Sequence, residues 1–562
     1  MHDLLIRNAR IYDGTGAAPL QGDLAVSDGR IAAIAARIDG PARETVDAQG
    51  LSLMPGIIDG HTHLDAQLTW DPFANPSPAL GVTTVVIGNC GFTIAPCRPE
   101  DRDLTVRNLT HVEGMSLDAL REGVQWNFTS FPEYLAFLEQ RGVGPNVASF
   151  IGHSSVRTYV MGIEASQRHA TPDEVQRMAA IVEDAMQAGA VGFSSTTADQ
   201  HNGEHGIPMP SRLADTPELE ALTGVLGKVG KGLFMTTRGN GTPISSIEDL
   251  ARRNGRPALI SGFLHNPANP EKHVRGLAEL AAARGRGVQL VGAVTCCPLT
   301  MDFTMRSAYM LEAFPTWKPA MQAHGDEELR KLYADAAFRA AVKQELEALR
   351  GTRLFNSEWD KINVVEAAKP GNAGLEGRTI ADIAAERGTH PLDCLLDLAL
   401  EENFDTLLSA VLLNSDPEVV GEIIKDPENY ITLSDAGAHI TFFCDAGFGL
   451  HLLGYWVRER GLMQVEEAVE RLTQQPAKLF GITGRGTLRV GNAADLLLFD
   501  PQTVGRGKNQ RVHDFPAGAA RLVTPALGVH GVWINGERVV LDAQGTLASD
   551  RKPGRVLREF HQ

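Results

Sequence analysis

The sequence is poor in cysteine, short of basic residues and without a long apolar run. Six cysteines in 562 residues (Cys90, Cys97, Cys296, Cys297, Cys394 and Cys444) are too few for a disulfide scaffold. Adjacent Cys296 and Cys297 could bond to each other only with strain. A reducing, cytoplasmic compartment is the expectation. Lys and Arg total 52 against 69 Asp and Glu, a net charge of −17. That deficit of cations excludes nucleic acid as a general partner, because phosphate binding needs a basic face. No uninterrupted apolar stretch reaches the roughly 18 residues of a membrane span. The opening Met1-His2-Asp3-Leu4-Leu5-Ile6-Arg7 has no basic segment leading into an apolar run, so no secretion signal is expected. Gly227-Lys228-Val229-Gly230-Lys231 lacks both the spacing and the Ser/Thr of a phosphate-binding loop.

What is present is an ordinary globular composition, 43% hydrophobic and 22% charged, with enough apolar surface for one large core. The first 50 residues read as short strands, at 4–11, 23–26 and 31–38, with turns at Asp13-Gly14-Thr15-Gly16 and Ser27-Asp28-Gly29-Arg30. The far end repeats the pattern: a strand at 495–499, then 529–534 and 537–540 joined over Asn535-Gly536, a strong hairpin signal. Two β-rich ends imply one composite β-sandwich built from 1–55 and 485–545, followed by a tail at 546–562. Between them, 56–480 alternates apolar runs with helical stretches such as 172–188 and 327–349. Candidate strands fall at 83–87, 147–151, 190–193, 232–236, 258–261, 288–291, 407–412 and 431–433. About eight strands alternating with helices imply an α/β fold, a (β/α)₈ barrel with insertions.

The sharpest segment is Pro55-Gly56-Ile57-Ile58-Asp59-Gly60-His61-Thr62-His63. Residues i and i+2 at a strand end project to one side, so His61 and His63 can share one metal ion. Cys90 follows the strand at 83–87, and its thiolate suits Zn²⁺. The ordinary alternative for such a cysteine is a small buried residue. Asp435 follows the last candidate strand, where it can serve as a proton acceptor or simply cap a turn in Ser434-Asp435-Ala436-Gly437.

With Leu5-Ile6-Arg7-Asn8-Ala9-Arg10-Ile11-Tyr12-Asp13-Gly14-Thr15-Gly16, Gly88-Asn89-Cys90-Gly91-Phe92, Gly152-His153-Ser154-Ser155-Val156-Arg157 and Gly491-Asn492-Ala493-Ala494-Asp495-Leu496, these motifs run in order along nearly the whole chain. In them the sequence resembles the amidohydrolase superfamily, and within it the N-acyl-D-amino-acid deacylase (D-aminoacylase) group. The resemblance implies a metal-dependent hydrolase of C–N amide bonds with one or two divalent ions, zinc first. It implies Cys90 as a ligand beside His61 and His63, and Asp435 as the group that takes a proton from the attacking water and returns it to the leaving nitrogen. The implied partner is a small-molecule amide. A homo-oligomer is compatible with the composition, and no membrane partner is expected.

The sequence also departs from the group, whose strands 5 and 6 end in metal-binding histidines. Here Thr236 or Thr237 and Gly262 stand in those places, and His265 lies three residues further on. Either His265 or another loop residue such as His201 or His205 substitutes, or the metal rests on His61, His63, Cys90 and Asp435, or it is lost and the chain is a non-catalytic homologue. The group's substrate-reading Lys and Tyr have no obvious counterparts. Arg157, Arg238 and Arg212 lie in expected strand-end loops and could take a carboxylate, and His439 could touch substrate. A cyclic amide or lactam hydrolase is the alternative within enzymes.

Overall fold

A computed structural model describes residues 1–312, 314–348, 354–439, 445–541, 548 and 551–561. Cys444 and the stretch 542–547 therefore lie outside the described residues. The chain divides into two compact units: Met1–Phe263 with Gly276–Cys296 and Gly421–Gln562, and Leu264–Arg275 with Cys297–Val420.

The first unit contains an eight-stranded parallel sheet: β1 Ile57–Asp59, β2 Val82–Ile87, β3 Asn146–Gly152, β4 Gly192–Thr196, β5 Leu233–Thr237, β6 Ala258–Ser261, β7 Leu290–Val294 and β8 Asn429–Ile431. The strands are hydrogen-bonded in that order. β2 and β3 are buried at every residue, so they read as continuous apolar or small runs rather than alternating ones. The helix Pro172–Ala188 between β3 and β4 has its ends written in the sequence. Thr171 and Glu174 form a reciprocal cap, proline opens the first turn, and Gly189 closes the last one in the left-handed region.

The sheet closes into a barrel just beyond β1 and β8. Gly60 N–H donates to Thr432 Oγ1 (2.8 Å). Asp435 N–H donates to the His61 carbonyl (3.0 Å), and His63 N–H to that of Ala436 (2.7 Å). Two glycines permit this approach. A Cβ on Gly60 would lie 2.1 Å from Thr432 Oγ1, and one on Gly437, at φ +92°, would lie 2.7 Å from the His63 backbone.

The barrel differs from the expected strand list at two places. Its first strand is the run Ile57–Asp59 that leads into the histidine pair. The run at 407–412 is not a barrel strand; Leu407–Leu413 is the centre of an antiparallel sheet in the second unit, between Leu299–Phe303 and Ile362–Glu366. Its burial alternates residue by residue, as expected for a strand with one covered face. The expected helix at 327–349 is two helices, Asp326–Ala334 and Ala336–Glu347. Asp335 breaks them and caps the second by accepting from Ala337 and Phe338 N–H.

Both chain ends meet in one sheet. The order is Glu537–Val540, Val529–Ile534, Leu496–Phe499, Ser52–Pro55, His2–Ile11, Leu20–Ser27 and Arg30–Ala35, with Ala42–Asp47 also pairing His2–Ile11. Its core combines Leu4, Ile6, Ile11, Leu24 and Val26 with Leu496, Leu498 and Trp533. At about 1.5–3 kcal/mol for each buried aliphatic side chain, those five N-terminal residues contribute about 8–15 kcal/mol, as much as a whole domain's net stability. Deleting residues 1–50 is therefore expected to abolish cooperative unfolding and cause aggregation, read by calorimetry and light scattering. A soluble truncation with a sharp transition would show that the ends fold independently. The final segment, expected to be a tail, lies along β3: Leu557 N–H donates to the Val147 carbonyl (2.8 Å), and Val147 N–H to that of Arg555 (2.9 Å). Among the described residues, no helix is long and apolar enough to cross a membrane.

Candidate metal centre

The barrel seam brings together residues far apart in the chain. Immediately after β1, the rings of His61 and His63 lie 5.3 Å apart. Among the described residues, His61, His63 and Cys90 offer donor atoms that all fall within 4.8 Å of one another, and all three are buried. Cys90 Sγ is 3.5 Å from His61 Nε2. Donors that share an ion at roughly 2.0–2.3 Å each lie about 3–4.5 Å apart, so this spacing fits one cation. Asp435 Oδ1 lies 3.2 Å from His61 Nε2 and 3.3 Å from His63 Nε2. Both imidazoles thus turn Nε2 toward the same carboxylate.

Their Nδ1 atoms are held from behind. His61 Nδ1 is 3.2 Å from Ser261 Oγ at the end of β6, and His63 Nδ1 is 2.9 Å from Glu113 Oε1. Outer partners of this kind orient the rings of metal-binding histidines. Cys90 has φ +56° inside the turn Gly88–Gly91. Side chains fasten that turn. Asp65 accepts from Gly88 N–H (3.0 Å), Ser194 accepts from Gly91 N–H (3.1 Å), and Asn89 donates to the Val86 carbonyl (2.9 Å).

The electrostatics favour charged ligands. Burial raises the Cys90 pKa, but the neighbouring His61 and His63 outweigh it and the net shift is down, toward thiolate. Burial likewise pushes Asp435 up, and the two imidazoles hold it well below the usual carboxylate range. Burial pulls His61 down, yet Cys90 and Asp435 raise it to about 9. Buried Asp59 is pushed up to about 7, tempered by the Ser434 hydroxyl that donates to it (2.6 Å). The Cys90 thiolate and the Asp435 carboxylate are the negative charge that a divalent cation would neutralise.

The other expected residues are placed as follows. His265 belongs to the second unit, where its N–H donates to Asn414 Oδ1 (2.8 Å) and its ring meets His273 edge-on at 5.6 Å. Expected as a ligand, it is not in the donor group, because the chain leaves the barrel at Ser261 before reaching it. Where the sequence left histidines missing, hydroxyls stand: Thr237 Oγ1 is 3.2 Å from Cys90 Sγ, and Ser261 faces His61. His201 donates to or accepts from Thr196 Oγ1 (2.8 Å) and packs on Phe92 at 5.1 Å; burial lowers it to about 4. His205 is exposed. Arg157, expected to bind substrate, is fully buried and committed to Glu218 and to the carbonyls of Ala165 and Arg168, so it presents nothing to a ligand. Arg212 is engaged with the His201 carbonyl and Asn202. Arg238 is half-buried at the end of β5; it donates to the Thr242 carbonyl (3.4 Å), and Glu279 acts on it electrostatically. The His439 N–H donates to the Glu113 carbonyl.

Sequence reasoning missed Glu113. Its only local sign is a mismatch: a carboxylate at the end of the helix Arg102–Val112 opposes the helix dipole.

The sequence model of the amidohydrolase family matches residues 44–540. An uncharacterised protein of Mycobacterium tuberculosis strain H37Rv is 30% identical over 527 residues, 89% of this chain and 85% of its own. The D-aminoacylase of Alcaligenes xylosoxydans xylosoxydans is 29% identical over 545 residues, covering 96% of this chain and 94% of its own. Among solved structures, the N-acyl-D-glutamate deacylase of Bordetella bronchiseptica, complexed with zinc and a phosphonate mimic of the tetrahedral intermediate, aligns at a TM-score of 0.64 and 27% identity, over 99% of this chain and 100% of that one. A parallel barrel closed at a His-X-His seam, with a match across most of its length, leads to one conclusion: the chain belongs to the amidohydrolase family.

Proposed function

We propose that the protein removes the acyl group from an N-acylated amino acid, using one divalent ion held by His61, His63 and Cys90 with Asp435 alongside. As a family member the chain is a hydrolase of carbon–nitrogen bonds other than peptide bonds. The observation that carries the detailed reading is Asp435 Oδ1 within 3.3 Å of both imidazole Nε2 atoms. The nitrogen and sulfur donor set favours zinc, the metal named for the Bordetella deacylase. When bound, such an ion polarises the amide carbonyl and lowers the pKa of water. Asp435 accepts the proton of the attacking water and delivers it to the leaving nitrogen. Ser261 and Glu113 keep the two rings turned inward. Arg238, half-buried at the end of β5 with a backbone carbonyl as its hydrogen-bond acceptor, is suited to the substrate's carboxylate. His439 stands in the Asp435 loop and is the further candidate for substrate contact.

Because the ends of β5 and β6 supply hydroxyls rather than imidazoles, a single site is expected. Elemental analysis of the purified protein should find about one zinc per chain, and a panel of N-acyl-D-amino acids, their L-forms and cyclic amides should show turnover on the acylated amino acids. Two tightly held ions would refute the single site. Turnover confined to cyclic amides would refute the substrate class.

A further inference from the structure

We propose that Glu113 is the positioning residue of this centre: it fixes the His63 ring with its side chain and anchors the Asp435 loop through its own backbone. The inference rests on the metal-site reading above. Glu113 follows the helix Arg102–Val112 and is 2% exposed. A carboxylate so deeply buried is costly unless compensated. Among the described residues, its one ion-pair partner is His63, with Oε1 at 2.9 Å from Nδ1. The contact has ion-pair distance without the alignment of a full hydrogen bond. Asp435 occupies the other edge of the same ring at 3.3 Å from Nε2. His63 therefore sits between two carboxylates, one facing the ion's place and one behind it.

The backbone gives the second half of the argument. The Glu113 carbonyl accepts from His439 N–H, four residues after Asp435. His439 and Asp435 both have positive φ, +53° and +54°, a conformation that non-glycine residues hold only when their surroundings impose it. One residue thus constrains a histidine with its side chain and the loop of the catalytic carboxylate with its main chain. It does so from a helix end whose dipole disfavours an anion. A residue serving the helix alone would not be an acid there.

The test compares wild type with Glu113→Gln and Glu113→Asp. Each protein is stripped of metal and reloaded with Zn²⁺ or Co²⁺, and affinity is measured by competition with a chromophoric chelator. Losing an outer carboxylate of this kind typically weakens binding about 10–100-fold. Glu113→Gln should show that loss together with an altered Co²⁺ visible spectrum, while saturating Zn²⁺ still occupies the site. Glu113→Asp keeps the charge but shortens the reach, and should fall between the two; it serves alone if the amide variant does not fold. Wild-type affinity and an unchanged cobalt spectrum in the folded variants would overturn the inference and leave the metal site standing. A wild-type protein that binds neither ion would overturn both.

Discussion

His61→Ala combined with His63→Ala is expected to remove bound metal and activity together. The two rings supply two of the three buried donors that converge within 4.8 Å. Without them, Cys90 is left as the one donor of that group, and a lone thiolate does not retain zinc against a chelator. The loss should be complete within assay limits for turnover, with metal content falling from about one equivalent to near zero. Fold should survive, because the seam is closed by the backbone of these residues rather than by their rings: His63 N–H to Ala436, and Asp435 N–H to the His61 carbonyl. Metal analysis beside circular dichroism separates the outcomes. A folded double mutant with full metal occupancy would remove the pair from the site.

The second large effect is expected from Asp435→Asn. The side chain keeps its shape and loses its basicity. Asp435 is held below the usual carboxylate range by the two imidazoles, so it is ionised at neutral pH and ready to accept a proton. General acid–base catalysis contributes about 10²–10⁴-fold, and kcat should fall by that order. Since Oδ1 approaches both histidines, the residue could also contribute to holding the ion, and parallel measurement of metal content separates the two roles. Metal retained with kcat reduced assigns proton transfer. Metal lost in proportion to rate assigns ligation. Near-normal turnover would reduce Asp435 to a turn residue.

How much of this was legible beforehand depends on how local each signal is. The hairpin over Asn535-Gly536 joins Val529–Ile534 to Glu537–Val540, and the helix Pro172–Ala188 begins and ends at the expected residues, because turn chemistry and caps act within a few residues. The run at 407–412 misled because an apolar strand reads alike whichever sheet receives it. Leu407–Leu413 found antiparallel partners, and the short Ile57–Asp59 took the barrel position. The split at Asp335 was missed because apolar periodicity continues on both sides of it.

The sequence by itself determined the family, the joining of both chain ends in one β domain, and the spacing that turns His61 and His63 the same way. Each rests on residues adjacent in the chain or on motifs in fixed order. Only the tertiary structure decided which groups surround those rings. Glu113 comes from a helix end 50 positions after His63, Ser261 from β6, and Asp435 from beyond β8; a barrel seam gathers them because parallel strands deliver their ends to one rim. The same fold buried Arg157 against Glu218. Linear spacing carries no information about these choices, because each depends on where a distant part of the backbone comes to rest.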